Sequence, residues 1–139
     1  MDSSFAECVV WEEKRKVNIK IIEENATRCA VMSGDEVVIR DTQTALDLLM
    51  CVKYEADTKD IVMSKELVSD DFFVLSTGLA GEILQKFINY QVKIAIYGDF
   101  SQYTSKPLKD FIYECNRGRD IFFMATKEEA VQALAAFPD

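Results

Sequence analysis

Two neighbouring hydroxyl side chains, Ser76 and Thr77, stand before Gly78 and a segment with helical apolar spacing that runs to Tyr90. The start of a helix offers free backbone N–H groups and the positive end of the helix dipole, which favour an anion or a phosphorylated side chain. Ser76, Thr77 and Gly78 are therefore candidates for a phosphorylation switch or for binding a protein partner. The apolar positions that predict the helix are Leu79, Ile83, Leu84, Phe87 and Ile88.

A structural interpretation of the same residues stays open. Ser and Thr are preferred helix N-caps, and in that case Gly78 and Gly81 would only allow close packing. A partner site requires an exposed Thr77, whereas a buried Thr77 with its hydroxyl bonded to the backbone would exclude the switch.

A second polar group follows a predicted buried strand and consists of Asp99, Ser101, Ser105 and Lys106. In open α/β sheets, ligands bind beyond the carboxyl ends of the strands, near a point where the strand order reverses. These four residues are candidates for a crevice that binds an anion or a small molecule. Ordinary loop and helix-capping roles are the alternative.

Three carboxylates in one predicted loop are further candidates for chemistry. Asp70 and Asp71, with Glu66 nearby, could act in acid–base chemistry or bind a hard cation, but a solvated loop before Phe72-Phe73 explains them as well. Those two phenylalanines either pack the loop down or offer a partner an apolar patch.

The cysteines point to burial rather than chemistry. Cys8, Cys29, Cys51 and Cys115 form no C-x-x-C pair, and the chain has no histidine, so the commonest zinc ligand and general base are missing. We expect reduced, buried thiols and assign no catalytic residue, no metal and no cofactor. An uncharacterised hydrolase or transferase remains the less favoured alternative.

Composition limits the class of protein. The chain has 139 residues, 49% of them hydrophobic, and a net charge of −8. This size suits one domain, and the acidic balance without a basic block argues against nucleic acid. With no signal peptide and no apolar run long enough to span a bilayer, we expect a cytoplasmic protein that does not bind a membrane.

The elements that must position these residues follow from the apolar patterns. Residues 1–16 read as an irregular lead-in or as a first strand over 8–11, and residues 17–139 as one α/β domain. Strands over 17–23 and 28–32, with a short third strand or an extended piece over 36–40, predict an antiparallel meander. Alternating helices and strands follow, which predicts a mixed sheet with α-β-α-β-α-β-α crossovers. The predicted later strands cover 60–64, 92–98 and 120–124, and the helices begin near residues 41, 78, 105 and 126.

This order of elements resembles the STAS domain of sulfate transporters and anti-sigma-factor antagonists. The local match is Thr77-Gly78-Leu79 with a small residue at Ala80 or Gly81, and Leu75 stands where that family has an acid. In the bacterial antagonists, a partner kinase phosphorylates the Ser or Thr before the glycine. The resemblance implies a non-enzymatic regulatory module with Thr77 at that position.

A more extensive resemblance covers residues 17 to about 134 and is to a family of small bacterial proteins catalogued as a domain of unknown function. Its segments are Asp71-Phe72-Phe73, Thr77 to Phe87, Ile96 to Ser101 and Ser105 to Glu114. It implies no activity. From both resemblances we expect an unidentified protein partner, and a homodimer formed through Trp11 and the first strand is a further possibility.

Overall fold

An antiparallel hairpin opens the described part of the chain, which in this computed structural model comprises residues 17–24, 27–34, 36–54 and 57–136. Strand β1 is Val17–Glu24 and strand β2 is Thr27–Gly34. Their register pairs Ile19 with Met32, so alternate side chains of both strands reach the same face of the sheet. The predicted strand over 8–11 lies outside the described residues.

Three parallel strands extend the sheet from β2, joined by helical crossovers. They are β3 (Asp60–Ser64), β4 (Lys93–Tyr97) and β5 (Ile121–Met124). The spatial order is β1-β2-β3-β4-β5, which confirms the predicted mixed α/β sheet. The helices are α1 (Thr42–Tyr54), α2 (Leu79–Asn89), α3 (Lys106–Asn116) and α4 (Lys127–Ala135).

The two faces of the sheet are covered unequally. Helices α1, α2 and α3 pack on one face, where residues such as Leu48, Phe87 and Ile96 are fully buried. Helix α4 packs on the other face, where Val131 and Leu134 contact a smaller apolar cluster. The described strands follow one another across the sheet without a reversal, so the expected switch point is absent among them.

Of the two alternatives for residues 36–40, a third strand or an extended piece, the third strand is wrong. In the structure only Ile39 makes an isolated bridge, to Val68, and Val38 and Ile39 both donate their backbone N–H to the Leu67 carbonyl. The apolar side chains of this segment are nevertheless in the core, since Val38 and Ile39 are buried. It binds a connecting segment rather than a neighbouring strand of the meander.

Side-chain caps fix where the helices begin. The Asp41 carboxylate accepts a hydrogen bond from the Thr44 backbone N–H at 2.8 Å, and the Thr44 hydroxyl oxygen accepts one from the Asp41 N–H at 3.0 Å. This reciprocal pair satisfies donors at the start of α1 that would otherwise lack a partner. The Thr126 hydroxyl caps α4 in the predicted way, by accepting from the Glu129 N–H at 3.2 Å.

The outer edge of β5 is closed by one side chain. The Phe123 N–H donates to Asn116 Oδ1 at 2.7 Å, and Asn116 Nδ2 donates to the Phe123 carbonyl at 3.1 Å. Phe123 is paired with Ile96 of β4 on its inner side. Asn116, the last residue of α3, therefore takes the place of a further strand at this position.

None of the helices in the described residues is both long enough and apolar enough to cross a membrane.

Candidate functional site

A short 3₁₀ turn, Leu75–Thr77, leads into helix α2. Gly78 follows with φ 77°, in the left-handed region, and α2 begins at Leu79. Glycine adopts this conformation without the steric cost that a Cβ would bring. The turn thereby reverses the chain and leaves Ser76 and Thr77 exposed at the start of the helix.

The Thr77 hydroxyl is exposed but already engaged. It donates to the Val74 carbonyl at 2.8 Å and is 3.2 Å from the Asp71 carbonyl, and it accepts from the Leu79 N–H at 3.1 Å. The N-cap of α2 is Gly78, which makes no side-chain capping bond, so the prediction that Ser76 or Thr77 is the N-cap is wrong. Thr77 is exposed, which is the condition that a partner site sets.

The expected packing role of the two glycines is wrong. A Cβ built on Gly78 or on Gly81 would meet no atom within 4 Å. Gly78 is explained by its left-handed backbone. Gly81 lies in the first turn of α2 and is exposed, and no neighbour in the described part of the chain requires its lack of a side chain.

Gly81 borders a surface depression that we name the α1–α2 groove. It has a volume of about 590 Å³ and is lined by Thr42, Gly81, Glu82, Gln85 and Lys86. The Thr42 hydroxyl donates to Glu82 Oε1 at 3.2 Å across it. The groove adjoins the exposed turn, so the helix start and the groove form one continuous surface, the partner face.

The carboxyl ends of the parallel strands form a second depression, the strand-end crevice, of about 580 Å³. Of the four residues that the sequence analysis proposed for this crevice, Asp99 lines it. Ser101 orients the Asp99 carboxylate, because Ser101 Oγ donates to Asp99 Oδ1 at 2.6 Å. Ser105 caps α3 through the Leu108 N–H, and Lys106 pairs with Asp110 at 2.8 Å. The lining residues are Ser33, Gly34, Ser64, Lys65, Glu66, Tyr97, Gly98, Asp99, Gln102 and Ala125.

Lys65, which directly follows β3, also lines this crevice, although it is not one of the four candidates. Its Nζ lies 3.5 Å from the Tyr103 hydroxyl and 5.4 Å from the centre of the Tyr103 ring. A Cβ on Gly98 would lie 2.9 Å from Lys65 Cγ. The side chain of Lys65 therefore runs along the bare backbone of Gly98, a contact that no local sequence pattern reveals.

Two groups of the crevice have shifted pKa values. Hydrogen bonds from the Ser101 hydroxyl and N–H lower the pKa of Asp99, and the charge of Lys65 adds to the effect. Burial raises the pKa of Tyr97, helped by the nearby charges of Glu66 and Glu128. At neutral pH the crevice therefore presents an ionised Asp99 and a neutral tyrosine hydroxyl.

The acidic loop has a structural explanation. Asp70 and Asp71 are exposed in a 3₁₀ turn, Asp70–Phe73, that Ser69 caps. Phe72 and Phe73 are buried, and the Phe73 ring stacks on Tyr103 at 5.0 Å between centroids, so they pack the loop down. Among the residues that the structure describes, no cluster of three or more His, Cys, Asp or Glu is arranged to hold a metal ion.

The thiols differ in state. Cys29 is buried, and Cys115 is half-buried and free. Burial, with a contribution from Glu114, raises the pKa of Cys115 to about 11, which keeps the thiol protonated at neutral pH. Cys51 is disulfide-bonded, contrary to the expectation of a reduced thiol, and Cys8 lies outside the described residues.

The fold and these surfaces define a mixed α/β domain with an exposed helix start and a polar crevice at its strand ends. Residues 24–134 match the family described as "Domain of unknown function (DUF4180)", and the chain belongs to this family. Membership confirms the predicted resemblance to a family of unknown function.

One solved structure resembles this chain in its fold, at low sequence identity. A crystal structure described as that of a "putative anti-sigma factor antagonist" from Thermotoga maritima is similar at 13% identity and a TM-score of 0.45, over 88% of this chain and 97% of the other. Likeness at this level carries no argument about function. No curated protein shows significant similarity to the chain.

Proposed function

We propose that this domain is a non-enzymatic regulatory module that binds a protein partner through the partner face. The observation that carries the proposal is Gly81. Glycine in a helix costs about 0.5–1 kcal/mol relative to alanine. No described residue offsets that cost, because the space around Gly81 is open among them. A partner that approaches the bare backbone closely would use this space.

The surroundings of Gly81 support the same function. Val74, directly before the turn, is 48% exposed, which provides an apolar contact beside the polar groove. Glu82 and Lys86 place opposite charges one helical turn apart along the groove, and such charges at the rim of an interface favour one docking orientation over others. The face therefore combines close backbone approach, apolar area and charge.

Thr77 would regulate this contact. A phosphate on its hydroxyl removes the proton that is donated to the Val74 carbonyl and adds about −1.5 to −2 charge at the start of α2. Both effects change the shape and the charge of the partner face. We therefore propose Thr77 as the position of the switch, with Ser76 as its exposed neighbour and Gly78 fixing the turn.

Site-specific photocrosslinking tests the proposal. A photoreactive phenylalanine analogue is placed at Gln85, in the α1–α2 groove, and at Lys109, an exposed position on α3, in the cells that naturally make the protein. We expect a discrete adduct from position 85 and none from position 109. The adduct should disappear when Gly81→Arg is added, because the new side chain fills the groove.

The result separates the possible partners. An adduct of twice the chain mass would identify a second copy of this protein as the partner. Thr77→Glu is expected to remove the adduct, whereas Thr77→Ser, which retains the hydroxyl, is expected to keep it. Equal adducts from positions 85 and 109, or an adduct unaffected by Gly81→Arg, would contradict the proposal.

A further inference from the structure

We propose that the strand-end crevice binds a free α-amino acid, with its carboxylate at Lys65 and its ammonium group between Asp99 and Glu66. The site is distinct from the partner face. At about 580 Å³ it has the volume of a small-molecule site.

The ammonium group of Lys65 is held in place without being neutralised. Its side chain is half-buried along Gly98, and its Nζ contacts the Tyr103 ring and hydroxyl. Within the described part of the chain it makes no ion pair with either carboxylate of the crevice. A cation in this state is available to the carboxylate of a ligand, and the tyrosine fixes its direction.

The two carboxylates occupy the same crevice at the ends of two neighbouring strands. Asp99, which follows β4, is ionised and oriented by Ser101, whose N–H and hydroxyl donate to Oδ1 at 2.9 and 2.6 Å. Glu66 follows β3, in a turn that Ser64 caps through the Glu66 N–H at 3.2 Å. Both acids are therefore attached to short, capped segments, and both remain open to a ligand cation.

The balance of charge selects the class of ligand. Lys65 against Asp99 and Glu66 gives the crevice a net negative charge, and the whole chain carries −8, so a simple anion is repelled at long range. A simple cation would balance that net charge but would place a second positive charge beside Lys65. A zwitterion satisfies both signs at once, and the neutral Tyr97 hydroxyl and the Gln102 amide add polar partners along the wall.

Nuclear magnetic resonance of the ¹⁵N-labelled chain tests the site. The probes are the twenty standard amino acids, added in small pools at millimolar concentration. Matched pools contain carboxylates without an amine, such as propionate and succinate, and amines without a carboxylate, such as methylamine and putrescine. We expect shifts of the backbone amides of Lys65, Gly98 and Asp99 with at least one amino acid, and none with the matched acids or amines.

Variants then assign the two ends of the ligand. Lys65→Gln and Asp99→Asn should each weaken binding at least ten-fold, because each removes a charge-assisted hydrogen bond. Asp110→Asn, which disrupts an exposed ion pair on α3, should leave binding unchanged. Thermal melting of each variant shows whether it is folded.

Three results would overturn the proposal. They are the absence of crevice shifts with all twenty amino acids, equal shifts with the simple acids or amines, and unchanged affinity in folded Lys65→Gln. Gly81→Arg serves to separate the two sites, since it is expected to abolish the partner adduct and leave amino-acid binding intact.

Discussion

Two glycines three residues apart should respond oppositely to the same substitution. Gly81→Ala is expected to stabilise the protein by about 0.5–1 kcal/mol, because alanine is the better helix former and its methyl group enters open space. Gly78→Ala also enters open space, but at φ 77° a Cβ costs about 1–2 kcal/mol. We expect this second variant to be less stable than the wild type.

The comparison between the two variants is sharper than either value alone. Replacing glycine by alanine reduces the entropy of the unfolded chain equally at both positions, so that contribution cancels in the difference. Neither position has a neighbour to clash with. The free energies of unfolding of the two variants should therefore differ by about 1–2 kcal/mol, which is the left-handed backbone cost.

Urea unfolding followed by circular dichroism measures the difference, with thermal melting as a second readout. For a chain of this size, Gly81→Ala should raise Tm by about 2–4 °C, and the slope of free energy against urea should not change. A neutral or destabilised Gly81→Ala would refute the claim that the helix tolerates a side chain at this position. If Gly78→Ala were as stable as Gly81→Ala, the left-handed turn would be refuted.

Three further predictions concern single side chains. Asn116→Leu should lower the free energy of unfolding by about 1–3 kcal/mol, because the backbone N–H and carbonyl of Phe123 lose their side-chain partner. Urea unfolding measures this loss, and faster hydrogen exchange at the Phe123 amide should accompany it. Asp41→Ala should cost about 1 kcal/mol at pH 7. Hydrogen bonds from Thr44 lower the pKa of Asp41 below 3.8. The stabilisation by the Asp41 carboxylate is therefore present above that pH and is lost as the pH falls through the lowered pKa. If Asp41→Ala differed from the wild type in stability by the same amount at acid pH, this prediction would be wrong. Cys115 has a pKa of about 11, against 9.0 for an unperturbed thiol. Its thiolate fraction at pH 8 is therefore roughly 100-fold smaller than in the unfolded chain, and the greater nucleophilicity of a thiolate with a high pKa partly offsets this loss. Cys115 should react about ten-fold more slowly with a disulfide reagent, and Cys115→Ala identifies its contribution.

The regular elements could be predicted because their patterns are local. The period of Leu79, Ile83 and Phe87 indicates α2 without knowledge of its neighbours, and the caps at Asp41 and Thr126 mark helix starts within four residues. From Lys65 to Leu75 the sequence predicts only a loop. The three 3₁₀ turns between Lys65 and Thr77 have no long period and depend on the burial of Phe72 and Phe73.

The parts of the site that escaped prediction depend on distant contacts. Whether Gly81 is a packing glycine or an open one depends on what lies opposite it, which spacing does not reveal. Lys65 enters the crevice because Gly98, thirty-three positions later in the sequence, leaves room for its side chain. The predicted strand over 36–40 failed for the same reason, since the hydrogen bonds of Ile39 go to the segment at 67–69.

The closure of the β5 edge also has a consequence for the order in which the protein folds. Asn116 and Phe123 are seven residues apart, so bringing them together costs little loop-closure entropy. Helix α3 and strand β5 can therefore associate before β5 finds β4, and the strand then reaches the sheet with its outer side already bonded. We expect this unit to be among the earliest to gain protection during refolding, ahead of the pairing of β2 with β3, which must close a loop of about thirty residues.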